Sequence, residues 1–324
     1  MSRWIAAVAA LLLTFAAGAR AEDKPTDVSV GVYVVQLDDP NLKDSQFTSV
    51  FWVWFRWQGD KDLNPIRKFE VVGGQVEGIE NEDSVYSDDP GGVHYQIAKV
   101  RATVTQDFDI RKFPIDEHTL QLSIEETFEG VGKLRYVADT KNSKLLESIS
   151  LAGLTIGTTT ATAGSKTYAS TFGDPRVEGA SGSAAEAAYA RFTLSIPVRR
   201  PGIGYPIKLF WSLYLSVFVA VLAFNIKPID LDPRFGLGIG AVFAAMASAF
   251  VISSALPDGN QVTLADEVVM ISIGFIVASV IQSIVSLRLF QAGKEKASAR
   301  LDLWSFVAFT GAYAAINIVM LRGS

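Results

Sequence analysis

Two hydrophobic periods divide the chain near Pro201. From residue 29 to 200, apolar and polar side chains alternate in short runs: "VSVGVYVVQL", "FTSVFWVWFRW", "HYQIAKVRATV", "TLQLSIE", "GKLRYVAD", "TTTATAGSKTYAST" and "AYARFTLSIPV". A period of two is that of half-buried strands. Turn residues separate the runs at Asp38-Asp39-Pro40, Gly59-Asp60, Asp88-Asp89-Pro90-Gly91-Gly92 and Gly173-Asp174-Pro175, and this spacing predicts a β-sandwich. After Pro201 the alternation gives way to four apolar blocks: Leu209 to Ile226, Phe235 to Leu256, Val268 to Leu287 and Leu303 to Leu321. Each approaches the ~20 residues that an α-helix needs to cross a ~30 Å hydrocarbon core, and almost nothing polar remains for a solvated face. The expected fold is an all-β, immunoglobulin-like sandwich (22–200) followed by an all-α four-helix transmembrane domain (201–324). Its spans fall at about 205–226, 233–256, 264–288 and 301–321.

Charge sets the topology. The connection between the first two spans carries Lys227 and Arg234, and that between the last two carries Arg288, Lys294, Lys296 and Arg300. The middle connection, "PDGNQVTLADE", has three acids and no base. The positive-inside rule therefore makes the two basic connections cytoplasmic and places the β-domain and the C-terminus outside. Residues 1–21 agree: Arg3, an apolar run from Ile5 to Ala17 and Ala19-Arg20-Ala21 read as a cleaved signal peptide, the alternative being a retained anchor. This predicts a multi-pass protein of a bacterial inner membrane with a periplasmic domain. With no cysteine in the chain, that domain must be held by packing rather than disulfides. A net charge of −5 gives no reason to expect nucleic acid. No catalytic or nucleotide-binding fingerprint is present, so we expect no enzyme and no cofactor. His94 and His118, the only histidines, are too far apart in sequence to suggest a zinc site, and no metal site is expected. The acidic run Glu77, Glu80, Glu82, Asp83, Asp88, Asp89 lacks EF-hand spacing and reads as a solvated loop.

One connection is unusual. "DFDIRKFPIDEHTL" (107–120) lies between two alternating runs, yet it displays Phe113, Pro114, Ile115 and Asp116 together. It resembles the signature loop of the pentameric ligand-gated ion channels, the Cys-loop receptor superfamily, whose two cysteines would fall at Gln106 and Leu120 and are missing in bacterial members. "FTSVFWVWFRWQGDKDL" (47–63), "RRPGIGYP" and "ALPDGNQVTLADEVVMISIGFI" are similar to further family segments in the same order. The resemblance implies a homopentamer in membrane lipid, with a central pore for monovalent ions opened by an unknown small ligand or by protons. It also implies that the loop presses Phe113, Pro114 and Ile115 onto the membrane domain, with Asp116 paired to Arg199 and joined by Asp39. The chain departs from the family where "EVVGGQVEGIENEDS" replaces a tryptophan-proline motif. It departs again at the late hairpin (173–188), which has no aromatic pair at its tip and reads at "EGASGSAAEAA" (178–188) as a mobile turn.

Candidate functional residues follow, each with a plainer alternative. Trp52, Trp54 and Arg56 share one strand face, and Phe51, Val53, Phe55 and Trp57 the other. By resemblance Trp52 lines an intersubunit ligand site; otherwise these tryptophans are subunit packing. Phe128, flanked by Glu125, Glu126 and Glu129, falls beside an aromatic position on the opposing side of that site. There it suits a cation, or else belongs to a solvated acidic loop. On the second span Gly236, Gly240, Phe243, Ala247 and Phe250 form one stripe, which the resemblance puts on the pore axis with a gate at the two phenylalanines. The glycines alternatively pack against neighbouring helices. Asp232 offers a ring of carboxylates at the cytoplasmic mouth favouring cations, with Arg234 diluting its field, or else an N-cap before Pro233. The competing function is a non-conducting receptor or assembly protein on the same scaffold.

Overall fold

The computed structural model describes residues 24–88, 91–173, 187–257 and 261–323. The expected signal segment and most of the expected mobile turn at 178–188 lie outside the described residues. Among the described residues the β-domain has eleven strands: β1 (Thr26–Leu37), β2 (Gln46–Gln58), β3 (Phe69–Val71), β4 (Gly74–Val85), β5 (Val93–Thr105), β6 (Glu117–Gly130), β7 (Leu134–Ala138), β8 (Lys144–Leu145), β9 (Thr155–Ile156), β10 (Thr160–Tyr168) and β11 (Ala187–Arg199). One sheet runs β4-β5-β2-β1-β7, with β8 also on β1, and the other β10-β11-β6-β3, with β9 also on β11. Neighbours are antiparallel except β1 with β7 and β8. The alternation that predicts the strands also fills the core. Phe51, Val53, Phe55 and Trp57 of β2 meet Val100 and Ala102 of β5, Leu122 and Ile124 of β6, and Phe192 and Leu194 of β11. Each large apolar side chain so buried contributes ~1.5–3 kcal/mol.

Four members of the acidic run, Glu77, Glu80, Glu82 and Asp83, prove to lie on a strand rather than a loop; Asp88 follows the strand, and Asp89 lies outside the described residues. β4 pairs with β5 through two bulges and is exposed along nearly its whole length. A strand that packs no face on a core carries no alternation, so periodicity does not reveal it. Two of its acids are bound locally: Glu77 accepts from Arg101 at 2.7 Å and from Thr103 at 2.8 Å, and Glu82 lies 3.0 Å from Arg67.

The connection between β5 and β6 is closed at its neck by one side chain. The Gln106 amide donates to the Thr119 carbonyl at 2.8 Å and accepts from the Gln121 N–H at 2.9 Å. It thus bridges the two ends of the loop on either side of Leu120, where a disulfide closes the loop in the family that this segment resembles. Beyond the neck, Ile110, Phe113 and Pro114 are buried. Ile110 and Phe113 belong to the core cluster of the helical domain, so the apolar residues on this loop are an inter-domain contact.

Four helices complete the chain: α1 (Gly204–Leu222), α2 (Leu231–Ser253), α3 (Leu264–Gln291) and α4 (Glu295–Gly323). All are long and apolar enough to cross a membrane, and the protein is a multi-pass membrane protein. α1 packs on α2, α2 on α3 and α3 on α4. At Gly238 a β-carbon would strike Val280, so α2 and α3 need the missing side chain there to approach so closely. Trp211 and Trp304 point outward. The first turn of α3 is built as a capping box, Thr263 accepting from the Asp266 N–H and Asp266 accepting from the Thr263 N–H. Two further N–H groups of that turn reach the other domain. Leu264 N–H donates to the Arg111 carbonyl at 2.9 Å, and Ala265 N–H to the Phe113 carbonyl at 3.1 Å.

Gln106→Ala removes both bonds at the loop neck while leaving the strands intact. At ~1 kcal/mol per lost bond, we expect the melting temperature of the purified protein to fall by about 2–8 °C. Gln106→Glu, which keeps the acceptor but loses the donor, should fall between the two.

Candidate functional site

Three places carry the candidate residues. The first is the outward face of the β4-β5-β2-β1-β7 sheet. Register places Tyr33 opposite Trp52, Gly31 opposite Trp54, Trp54 opposite Ile97 and Arg56 opposite Tyr95. Trp52, Trp54 and Arg56 therefore do converge, in an open recess of about 580 Å³ completed by Tyr33, Tyr95, Ile97, Asp139 and Asn142. Gly31 makes this possible, because a β-carbon there would occupy the space of the Trp54 indole. The indole donates to Asp139 at 3.3 Å, and the Asn142 side chain donates to both oxygens of Asp139 at 3.0 and 2.9 Å. Burial pushes the Asp139 carboxyl up, but the Asn142 and Trp54 hydrogen bonds and the Arg56 charge outweigh it and hold the group below its usual value. The recess thus presents aromatic faces, an anion at its floor and a cation at its rim. Tyr33 and Tyr95 were legible in principle, since both occupy non-core positions of alternating strands; Asp139 required the fold.

The second place is the far end of β6. Phe128 is 59% exposed, but the acids beside it neither ring it nor form a solvated loop. Glu125 is buried in an ion pair with Arg191 at 2.5 Å and accepts from the Tyr168 hydroxyl at 2.6 Å. Glu129 is held by Lys133 at 2.9 Å and Lys68 at 3.3 Å. Glu126 turns inward, where one oxygen accepts from the Phe128 and Glu129 N–H groups at 3.3 Å. Its other oxygen and the buried Tyr136 hydroxyl find no hydrogen-bond partner among the described residues. Burial is the main reason that the Glu126 carboxyl is pushed up to about 7; the two N–H groups and Lys68 only moderate the rise. Tyr168, Phe172 and Tyr189 cluster nearby with centroids 5.3–6.3 Å apart. The late hairpin therefore carries aromatics at its base, flanking the segment that lies outside the described residues. This group is on the other sheet from the Trp52 recess, so a single chain does not bring the two together.

The third place is the path from the domain junction to the far end of the bundle. Asp116 does not pair with Arg199. Arg199 is exposed at the end of β11, and it is Arg200 whose Nε donates to Asp116 at 2.7 Å. The strand alternation decides this, since Val198 points into the core and Arg199 away from it. Arg200 follows the strand and extends its ladder with β6 by one step, its N–H donating to the Asp116 carbonyl at 3.1 Å. Its guanidinium lies 4.4 Å from the Tyr205 ring centroid and 5.6 Å from that of Phe113. His118 Nε2 holds the second Asp116 oxygen at 2.6 Å. Burial raises the Asp116 carboxyl, yet the His118 bond and the Arg200 charge keep it below its usual value. Asp39 is not part of this cluster and instead accepts from the Ala152 N–H at 2.9 Å.

On α2, Gly236, Gly240, Phe243, Ala247 and Phe250 are all exposed, the phenylalanines at 71% and 76%. The opposite stripe, Arg234, Gly238, Ala241, Ala245, Ser248 and Ile252, faces the bundle. Gly236 and Gly240 meet nothing within their own chain. Asp232 is exposed in the first turn and is not the N-cap, which is Asp230. Arg234 does not dilute its field, because Arg234 is buried and paired with Asp302 of α4 at 2.7 Å. Among the described residues no three His, Asp or Glu side chains converge as metal ligands.

Compared with known proteins, the chain matches no family model and no curated sequence. The functional reading therefore stands on the geometry.

Two outcomes test this geometry. Asp116→Asn and Arg200→Gln should each destabilise the protein, and combined they should cost ~1–3 kcal/mol less than their sum in thermal unfolding. Arg199→Gln should change stability by no more than ~0.5 kcal/mol. The second outcome concerns Glu126. With the folded pKa raised above the unfolded one, the native state retains a proton that the unfolded chain has released. Its stabilising effect is full below about pH 4.5 and is lost as pH rises toward about 7. Glu126→Gln should therefore gain ~3 kcal/mol over the parent between these limits, and parallel stability profiles would refute the assignment.

Proposed function

We propose that the protein is a subunit of a homopentameric ligand-gated ion channel of a bacterial inner membrane, opened from the outside and weakly cation-selective. The observation that carries this reading is α2, where an entire apolar stripe is turned away from the helices of its own chain. Five copies arranged around that stripe leave a path lined by Gly236 and Gly240 and narrowed at Phe243 and Phe250. Rings of phenylalanine exclude water and stop ions at rest. Asp232 supplies a carboxylate ring at the cytoplasmic mouth. The basic residues Lys227, Arg288, Lys294, Lys296 and Arg300 at the same end support that orientation.

Two half-sites support a ligand site between subunits. The Trp52 recess of one chain faces outward, as does the group of Phe128, Phe172 and Tyr189, and each is incomplete alone. The signal passes through the β5–β6 loop, which contacts α3 by backbone hydrogen bonds and is anchored by Asp116 and Arg200. The hydroxyl-free stripe on α2 favours a second reading, a receptor that keeps the scaffold without conducting.

Ion flux into proteoliposomes across pH, with a panel of amines, protons and Ca²⁺, separates the two. Phe243→Ser should raise resting flux by at least about tenfold, since it replaces a dewetting ring with a polar one. A Phe243→Ser protein as silent as its parent favours the non-conducting receptor. Light scattering in detergent that gives a monomer or dimer removes both the pore and the intersubunit site.

A further inference from the structure

Among the described residues of the helical domain, Arg234 and Asp302 form a deeply buried ion pair. The Arg234 side chain has no exposed surface. Its guanidinium donates to both Asp302 oxygens, Nη2 to Oδ1 at 2.7 Å and Nη1 to Oδ2 at 3.0 Å, and Nη1 also donates to the Ile226 carbonyl at 2.8 Å. Gln282 and Ser286 of α3 donate to the same carboxylate at 3.0 and 2.8 Å. Arg234 Nε and Gln282 Oε1 have no partner among the described residues. Among the described residues Asp302 is thus the only anion in contact with the arginine, and the neutral groups around it cannot replace that charge. α2 and α4 share no broad packing, so the ion pair reaches across the bundle between helices that otherwise scarcely meet.

The position of Arg234 makes the pair more than a structural clamp. It lies in the same first turn of α2 as Asp232, two residues on, but is turned from the exposed side to the buried one. A first turn that carries one acid and one base displays only the acid, because Asp302 holds the base inside. We infer that Asp302, on a helix that scarcely meets α2, is a selectivity-determining residue: it keeps Arg234 out of the pore mouth so that the Asp232 ring acts alone. This rests on the channel reading. Without Asp302, a guanidinium left unpaired in hydrocarbon is driven toward water. The nearest water is at the end of α2 from which Asp232 projects. Five arginines would then share a ring with five aspartates and cancel or reverse its sign.

Reversal potentials of proteoliposomes in a KCl gradient test the inference. Asp302→Asn preserves the shape of the side chain and removes only its charge, and it should lower the K⁺/Cl⁻ permeability ratio by at least about threefold. Arg234→Gln combined with Asp302→Asn leaves no stray charge and should return the ratio to that of the parent, as should Asp302→Glu. A purely structural role predicts the opposite pattern, reduced assembly with an unchanged ratio, and that result overturns the inference. If Asp302→Asn does not assemble alone, co-reconstitution with an excess of parent subunits gives a graded shift in the ratio, and no shift again overturns it. A parent that passes no ions under any condition refutes the channel reading itself, whereas a conducting parent with an indifferent Asp302→Asn variant refutes only the role of Asp302.

Discussion

Two backbone hydrogen bonds join the halves of this protein. The first turn of any α-helix has N–H groups with no partner in the helix, and in α3 two of them are satisfied by the Arg111 and Phe113 carbonyls of the β-domain. The bonds are specific in a way that apolar contact is not. A buried Phe113 could slide over the helical domain at little cost, but an N–H group at a buried helix start that loses its acceptor costs ~1–3 kcal/mol. The loop therefore has one seat. Displacing it by even one residue leaves the Leu264 and Ala265 N–H groups without acceptors, while the Thr263–Asp266 capping box of α3 stays intact.

The rest of the junction keeps those carbonyls in place. Asp116 is held from both sides, by Arg200 and His118, and Arg200 in turn lies against Phe113 and Tyr205. A charge is buried here only because each partner is itself fixed. The same logic recurs at the far end of the bundle, where Arg234 and Asp302 are enclosed by Gln282 and Ser286. Two polar anchors thus bracket a helical domain whose remaining contacts are largely apolar, and apolar packing between helices in lipid has no hydrophobic drive of its own.

Much of this was legible in the sequence, and the reasons differ by element. The strands β1, β2, β5, β6 and β11 and all four helices have one face or stripe committed to a core, so burial imprints a period. β4 has no such face and was invisible. The sharing of one face by Trp52, Trp54 and Arg56 followed from parity alone, and the stripe on α2 from helical spacing. Partner identity was not legible. Asp116 takes Arg200 rather than Arg199 because Arg199 points away from the core while Arg200 lies opposite Asp116 in the β11–β6 register, and that register is set by the pairing of two strands distant along the chain. Nor could sequence distinguish an exposed Glu-rich segment around Phe128 from one whose carboxylates are buried or paired, since Lys68 and Arg191 lie far from it along the chain. Arg234 read as a cytoplasmic charge for the same reason: its partner lies on another helix.

The neck of the β5–β6 loop is closed by the Gln106 amide, and the chain holds no cysteine. A covalent clasp would tie the maturation of the loop to an oxidising compartment and to the enzymes that form and shuffle disulfides. An amide clasp closes as soon as β5 and β6 pair and reopens without any reductant. The junction is accordingly indifferent to the redox poise around it, and neither thiol reagents nor oxidative stress has a handle on it.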